Sequence, residues 1–246
     1  MEISDLKRFA NRAARLAGLE IHSFRPERSD AARILATLRH FKIDLILDVG
    51  ANEGQFAESL FTSGYDGRIV SFEPLRAPHE RLSRRASKHS GWQAFERCAV
   101  GAEDSEATVN IAGNSASSSL LPMLQAHLDA APDSRYIGTE AVPLRRLDTL
   151  IPSILRQERN ILLKIDTQGY EGKVLDGAGE LLSGTRAVQL ELSFVPLYEN
   201  QPLWDELRQR MTAAGFSLWL LMPGIVDPTN GRLLQADGIF VKMPSH

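Results

Sequence analysis

The side chains best suited to chemistry are carboxylates that close short apolar runs. Asp48 ends Leu45-Ile46-Leu47, Glu73 follows Ile69-Val70-Ser71-Phe72, and Asp166 follows Ile161-Leu162-Leu163-Lys164-Ile165. Glu191 lies in the apolar run 187–193, and Asp237 precedes the run 238–242. Beyond Asp48 stand two glycines four residues apart, Gly50 and Gly54, and then a helix-capable segment, Gln55 to Phe61. This reads as a buried strand, a tight turn and a helix start, an arrangement that brings a nucleotide-like ligand close to the backbone. Glu73, 19 positions beyond Gly54, is spaced to accept hydrogen bonds from a ribose diol. The pattern points to an adenosine-type cofactor.

Two such cofactors compete. A dinucleotide site favours G-x-G-x-x-G, whereas the spacing here is Gly50-x-x-x-Gly54, with Glu53 expected to face the pyrophosphate position. A carboxylate beside two phosphates is unfavourable, while the sulfonium of S-adenosylmethionine is a cation, so the methyl donor is preferred. The backbone of 50–54 is expected to hold its methionine portion, and Ala99 to pack near the adenine. Asn114, Ser115 and the run 117–119, Ser119 included, form a hydroxyl-rich patch suited to cofactor or sugar contacts, or equally to a solvated loop.

These positions need a scaffold, and the order of elements supplies one. Strand and helix patterns alternate through the runs at 45–49, 69–73, 161–166 and 187–193, with helices after them. The stretch 92–100 reads as one short strand, 106–112 as another, 142–144 as a third, and 113–133 as a long Ser- and Asn-rich excursion of the kind used for binding loops. One helix is expected to follow Asp166 to about Leu182. Strands at 216–222 and 238–242 are separated by a loop without helical period, so they should pair antiparallel. The fold expected is α/β: a doubly wound, mainly parallel seven-stranded sheet with one antiparallel strand near an edge.

The chain has 246 residues, 43% of them hydrophobic, with a net charge of −3 and a single cysteine, Cys98. That is enough for one large domain, expected over 41–246, preceded by a helical extension over 1–40. The acidic balance disfavours a nucleic-acid footprint, and one cysteine excludes a disulfide framework. No apolar run reaches membrane-spanning length and Met1–Asp5 lacks a leader core, which suggests a cytoplasmic protein. Ile3, Leu6, Phe9, Ala13 and Leu16 recur at helical spacing opposite Lys7, Arg8, Arg12 and Arg15. Such a helix packs on its own domain or lies on an anionic membrane face. A second helix is expected from Asp30 to His40.

The motifs together resemble the FkbM family of S-adenosylmethionine-dependent methyltransferases. The matching pieces are Asp48-Val49-Gly50-Ala51-Asn52-Glu53-Gly54, Phe72-Glu73-Pro74, Leu163-Lys164-Ile165-Asp166-Thr167-Gln168-Gly169-Tyr170-Glu171, Glu191-Leu192-Ser193 and Asp237-Gly238-Ile239-Phe240-Val241. Gln168 departs from the Glu that many members carry, so no catalytic duty is assigned to it. The resemblance implies the class I methyltransferase (Rossmann-like) fold, with Asp48, Gly50, Ala51, Asn52, Gly54, Glu73, Pro74, Ala99, Ser119 and Asp166 around the cofactor. It also implies O-methylation of a sugar hydroxyl on a glycan, glycolipid or glycosylated natural product.

An alcohol becomes a nucleophile when its proton is removed or a metal lowers its pKa. Two versions are therefore open for Asp166 and Glu191. With Asp237 they bind a divalent cation such as Mg²⁺ that orients the hydroxyl, or one of them is a metal-free base. His127, in the excursion, is a further candidate base, expected to be exposed. Lys164 is read as a buried partner of a carboxylate, with Glu171 as one candidate. Other readings are a non-sugar small-molecule acceptor and a non-catalytic cofactor-binding module. A glycolipid acceptor would bring peripheral contact with the inner membrane face, and a homodimer is a further expectation.

Overall fold

The computed structural model describes residues 23–243 without a break, together with 14, 16, 18 and 19. The basic helix expected over 3–16 therefore lies outside the described residues apart from two of its positions. Helix α1 (Asp30–His40) begins where Ser29 caps it, its hydroxyl accepting from the Ala32 amide, with Asp30 in the first turn and Arg39 and His40 in the last. It buries Leu35 and Leu38 in the same core as Ile46.

The central strands β1 (Leu45–Val49) and, later in the chain, β7 (Ile161–Ile165) are buried at every position. Their runs, apolar except for the paired Asp48 and Lys164, follow from being covered on both faces. Between them come α2 (Gln55–Thr62), β2 (Arg68–Phe72), α3 (Arg76–Ala86) and β3 (Trp92–Ala94). After β7 come α6 (Glu171–Asp176), α7 (Gly179–Gly184), β8 (Ala187–Ser193), α8 (Trp204–Ala213), β9 (Ser217–Pro223) and β10 (Gln235–Val241). The seven-stranded sheet runs β3-β2-β1-β7-β8-β10-β9. All its strands are parallel except β10, which pairs antiparallel with both neighbours. The doubly wound, class I methyltransferase-like sheet and its inverted strand are thus as expected.

Alternation along β1 assigns the faces. Leu45, Leu47 and Val49 join a core with α5 (Leu147–Ile154), α6, α7 and α8, while Ile46 joins one with α1, α2 and α3. Asp48 shares Ile46's side of the sheet. Opposite it in register stand Ser71 on β2 and Lys164 on β7.

Three expectations need correction. The stretch 92–100 is not one strand: β3 stays in the main sheet, while β4 (Ala99–Val100) joins a second sheet of order β4-β6-β5. There β5 (Ser105–Ala112) pairs antiparallel with β6 (Tyr136–Arg145), a strand far longer than 142–144. The helix after β7 is two helices broken at Gly177, where a Cβ would lie 1.9 Å from the Gly101 carbonyl oxygen. The excursion carries a short helix, α4 (Gln125–Ala130), between two 3₁₀ turns.

Candidate active site

A cleft spanning about 580 Å³, open solvent at its entrance included, lies at the carboxyl ends of β1, β2 and β7, walled on one side by the excursion. That is where ligands sit in open α/β sheets. Gly50, Asn52, Glu73, Pro74, Ala99, Ser119 and Asp166 line it; Asp48, Ala51, Gly54, Glu191 and Asp237 do not. Gly50 takes φ +77°, and a Cβ there would lie 1.8 Å from the Asp166 carbonyl oxygen. Only glycine permits β1 and β7 to diverge so tightly at the cleft floor. Gly54, at φ +86°, owes its identity to packing rather than to a ligand: a Cβ would strike Trp92 at 2.5 Å and Leu82 at 2.8 Å.

Glu73 is 5% exposed and held by two backbone amides. Asn52 N donates to Oε2 at 2.9 Å and Leu75 N to Oε1 at 2.9 Å. Each carboxylate oxygen keeps a further lone pair for a hydroxyl donor. Burial pushes the Glu73 pKa up to about 7, against the lowering influence of these two amides. Asn52 itself sits at φ +48°, its side chain accepting from Ser115 Oγ at 2.9 Å across the cleft. Glu53 does not face the cleft as expected. It turns to α3 and pairs with Arg81 at 2.7 Å and Arg85 at 3.2 Å. The electrostatic argument against a pyrophosphate drawn from Glu53 therefore has no structural basis here.

Asp48 is fully buried beneath the cleft. Its Oδ1 lies 3.0 Å from Lys164 Nζ, and its Oδ2 accepts from Ser71 Oγ at 3.1 Å. Ser71 accepts in turn from the Trp92 indole at 3.0 Å. Burial works against the Lys164 ammonium, but Asp48 and Asp166 overcome it and hold its pKa above the ordinary lysine value. Lys164 is thus a buried cation, as expected, yet its partners are Asp48 and Asp166 (Nζ to Oδ2, 3.4 Å) rather than Glu171. Glu171 instead receives Thr167 N at 3.0 Å and Gly169 N at 3.2 Å, which ties down the turn after β7.

That turn carries the reactive end of the site. Asp166 lines the cleft with its side chain 36% exposed. Gln168, at φ +55°, donates from Nε2 to Asp166 Oδ1 at 3.0 Å and to both Glu191 oxygens at 2.9 Å. Tyr198 OH stands 2.8 Å from Gln168 Oε1 and 3.2 Å from the Ser117 carbonyl, and the carboxylate acceptors around Nε2 orient the amide. Asp237 stands opposite Glu191 in the β8–β10 register. Burial, then Asp166, Glu171 and Asp237, push the Glu191 pKa well above the carboxylate range. Burial and Asp166 raise Asp237 to about 6, against the pull of Lys164.

The metal assignment to Asp166, Glu191 and Asp237 is corrected by this geometry. Among the described residues no group of three His, Cys, Asp or Glu side chains is disposed to hold an ion. An Mg²⁺ needs oxygens converging at about 2.0–2.1 Å, and the Gln168 amide nitrogen lies where the Asp166 and Glu191 oxygens converge. The residues present do not fit the cation.

His127 is also placed differently. It is buried behind the excursion, 1% exposed, and does not line the cleft. Ser134 Oγ donates to Ser117 Oγ at 3.0 Å, so it accepts from His127 Nε2 at 3.2 Å, leaving Nδ1 buried without a partner. Burial lowers the His127 pKa, and the ring packs edge-on against Tyr198. Cys98 is a buried thiol whose pKa is pushed up to about 12 by burial. Sequence reasoning missed Tyr198, whose only cue was an aromatic seven positions beyond Glu191, and it set aside Gln168, which stands at the centre of the site.

Comparison with known proteins adds the following. The model of the methyltransferase FkbM domain matches residues 48–218. No curated protein matches the chain. A methyltransferase FkbM from Methylobacillus flagellatus KT is 14% identical with a TM-score of 0.49, over 80% of this chain and 43% of its own length, so this chain spans less than half of that protein. A putative RNA methyltransferase from Pyrococcus horikoshii (10% identity, TM-score 0.46) aligns over 87% of this chain and 83% of its own. The magnesium protoporphyrin IX methyltransferase of Synechocystis, solved with bound SAM (12%, 0.45), aligns over 87% and 78%. With the family's domain matched across more than two thirds of its length, the chain belongs to the FkbM methyltransferases.

Proposed function

We propose that the protein is an S-adenosylmethionine-dependent O-methyltransferase acting on a sugar hydroxyl of a glycan, glycolipid or glycosylated natural product. The observation that carries this reading is Asp166 in the lining of a cleft that Glu73 also lines, with Glu191 behind that lining and tied to Asp166 through the Gln168 amide. When bound, S-adenosylmethionine supplies a methyl group made electrophilic by its sulfonium. Glu73, with two amides already accepted, has lone pairs left for ribose hydroxyls, and the backbone from Gly50 to Asn52 supports the methionine portion. Asp166, unlike the buried Asp48, reaches the cleft and sets a negative group where a cationic donor would lie. Its neighbour Glu191 has the raised affinity for a proton that a base for an alcohol requires.

A carboxylate base is preferred over Mg²⁺ because the Gln168 amide separates the carboxylates. Incubation with a labelled methyl donor, EDTA and a panel of methyl-free glycosides tests the assignment. Transfer at full rate in EDTA is expected. Donor binding without transfer to any glycoside, but with transfer to phenols or other small hydroxyl compounds, would move the assignment to a non-sugar acceptor. Binding with no transfer at all would favour a non-catalytic module.

A glycolipid acceptor further implies contact with the inner membrane face through the basic segment 3–16. No described helix is long and apolar enough to cross a membrane. Loss of liposome sedimentation on deleting residues 1–20 is the expected sign. Light scattering tests the expected homodimer.

A further inference from the structure

We propose that Gln168 is the positioning residue of the acceptor end, its carboxamide standing in the place of a divalent cation between Asp166 and Glu191. This rests on the methyltransferase reading for its catalytic meaning, though not for its geometry. Two carboxylates drawn together in a partly buried site repel, and the repulsion is relieved by a cation, a shared proton or a hydrogen-bond donor between them. Here the donor is neutral. Nε2 carries two protons and meets three carboxylate oxygens at 2.9–3.0 Å, one from Asp166 and two from Glu191. One N–H serves Asp166 and the other is shared by the Glu191 oxygens.

Four further contacts make the arrangement rigid. Tyr198, fully buried, has its one hydroxyl proton within reach of Gln168 Oε1 at 2.8 Å and the Ser117 carbonyl at 3.2 Å, and it is the carboxylate oxygens on the other side that keep Nε2 turned toward them. Ser119 Oγ donates to the Gln168 carbonyl at 2.7 Å. Glu171 gathers the amides of Thr167 and Gly169 on either side. Together these hold Gln168 at φ +55°, a conformation an unbranched side chain adopts only at a cost, and such strained positions cluster at functional sites. The charged groups around the pair are Lys164 on β7, Glu171 on α6 and Asp237 on β10. Lys164 is already committed to Asp48 at 3.0 Å and stands 3.4 Å from Asp166 on the oxygen Gln168 does not use.

Two consequences follow. The acceptor's proton passes to a carboxylate and not to a metal-bound oxygen, so activity is independent of divalent ions. Replacing the amide by a carboxylate, Q168E, removes the donor and adds a third acidic oxygen pair at the same point, which converts the site into a divalent-cation site.

The test titrates Mn²⁺ into wild type and Q168E, read by the Mn²⁺ paramagnetic resonance spectrum, with folding checked by circular dichroism and donor binding checked by calorimetry. Q168E is expected to bind Mn²⁺ at least about tenfold tighter than wild type. The double variant D166N/Q168E is expected to lose that gain. Should Q168E fail to fold, Q168A, which leaves two unbridged carboxylates, is expected to show the same gain in weaker form. Mn²⁺ binding by wild type that D166N abolishes would overturn the proposal. So would folded Q168E or Q168A showing no gain over wild type. If wild type binds no S-adenosylmethionine, the functional reading fails while the Mn²⁺ result still judges the role of Gln168.

Discussion

Glu73→Gln separates a ligand-binding carboxylate from a structural one. In the protein, both Glu73 oxygens accept a backbone N–H at 2.9 Å, so the carboxamide must turn its NH₂ toward either Asn52 N or Leu75 N. One buried donor then loses its acceptor, costing about 1–3 kcal/mol. The same change removes a charge from a site only 5% exposed, which offsets part of that cost. A small change in melting temperature is expected.

Donor affinity should respond more strongly. Hydrogen bonds to a charged group contribute about 1.5–3 kcal/mol, so S-adenosylmethionine is expected to bind about 10- to 100-fold more weakly at pH 8. Because the Glu73 pKa stands at about 7, only about a tenth of wild type carries the charge at pH 6, and the ratio between the two proteins shrinks there about tenfold. Taking the ratio cancels titration of the donor's own amine.

The ligand-free protein gives an independent check. A carboxyl raised from 4.5 to about 7 on folding favours the folded state below about pH 4.5, and that contribution is lost as pH rises through 7. E73Q should lack this share of the pH dependence. Calorimetric titrations at pH 6, 7 and 8 decide the matter: an affinity ratio near one, or one that does not change with pH, refutes the ribose assignment.

Lys164→Met should destabilise by about 3–5 kcal/mol, because it leaves Asp48 ionised and buried without its cation; D48N/K164M should recover much of that loss in urea unfolding. Gly50→Ala should cost about 3–5 kcal/mol or prevent folding, since its Cβ meets the Asp166 carbonyl oxygen at 1.8 Å; an unchanged melting temperature would contradict the geometry. With Glu191 holding its proton to well above the usual range, wild-type kcat should rise with pH as the base form appears, and E191Q should lose about 10²–10⁴ in kcat together with that limb. H127N should change kcat by less than about tenfold and leave the shape of the pH profile intact, because His127 is buried behind the excursion against Ser134 and Tyr198, with no bond to Asp166, Gln168 or Glu191.

The parts legible in the sequence are those whose physics is local. Strands covered on both faces are mostly apolar, so β1, β7 and β8 announce themselves, and the carboxylates that close or punctuate them mark the sheet's ligand-binding rim. A loop between β9 and β10 without helical period forces the antiparallel pairing that is seen. The second sheet was hidden because β6 has one face in solvent, and Gly138 and Pro143 interrupt its alternation. Glu53 was misplaced because its partners, Arg81 and Arg85, lie about thirty residues away on a helix whose docking the sequence does not encode locally. His127 looks free in the sequence because its burial depends on Tyr198, which arrives from the segment after β8. Gln168 was undervalued for a similar reason: its meaning lies in what stands opposite its amide.

The bond from Ser115 to Asn52 has a bearing on turnover. These two side chains join two walls of the cleft through a single neutral hydrogen bond. A bond of that kind contributes about 0.5–1.5 kcal/mol, so parting it raises the energy by little more than thermal agitation supplies. Further in, the same segment is held firmly, by Ser119 Oγ on the Gln168 carbonyl at 2.7 Å and by Leu124 N on the Leu197 carbonyl at 2.9 Å. Only its edge beside Asn52 is tethered so lightly, and a guest can displace that edge without disturbing the Gln168 turn.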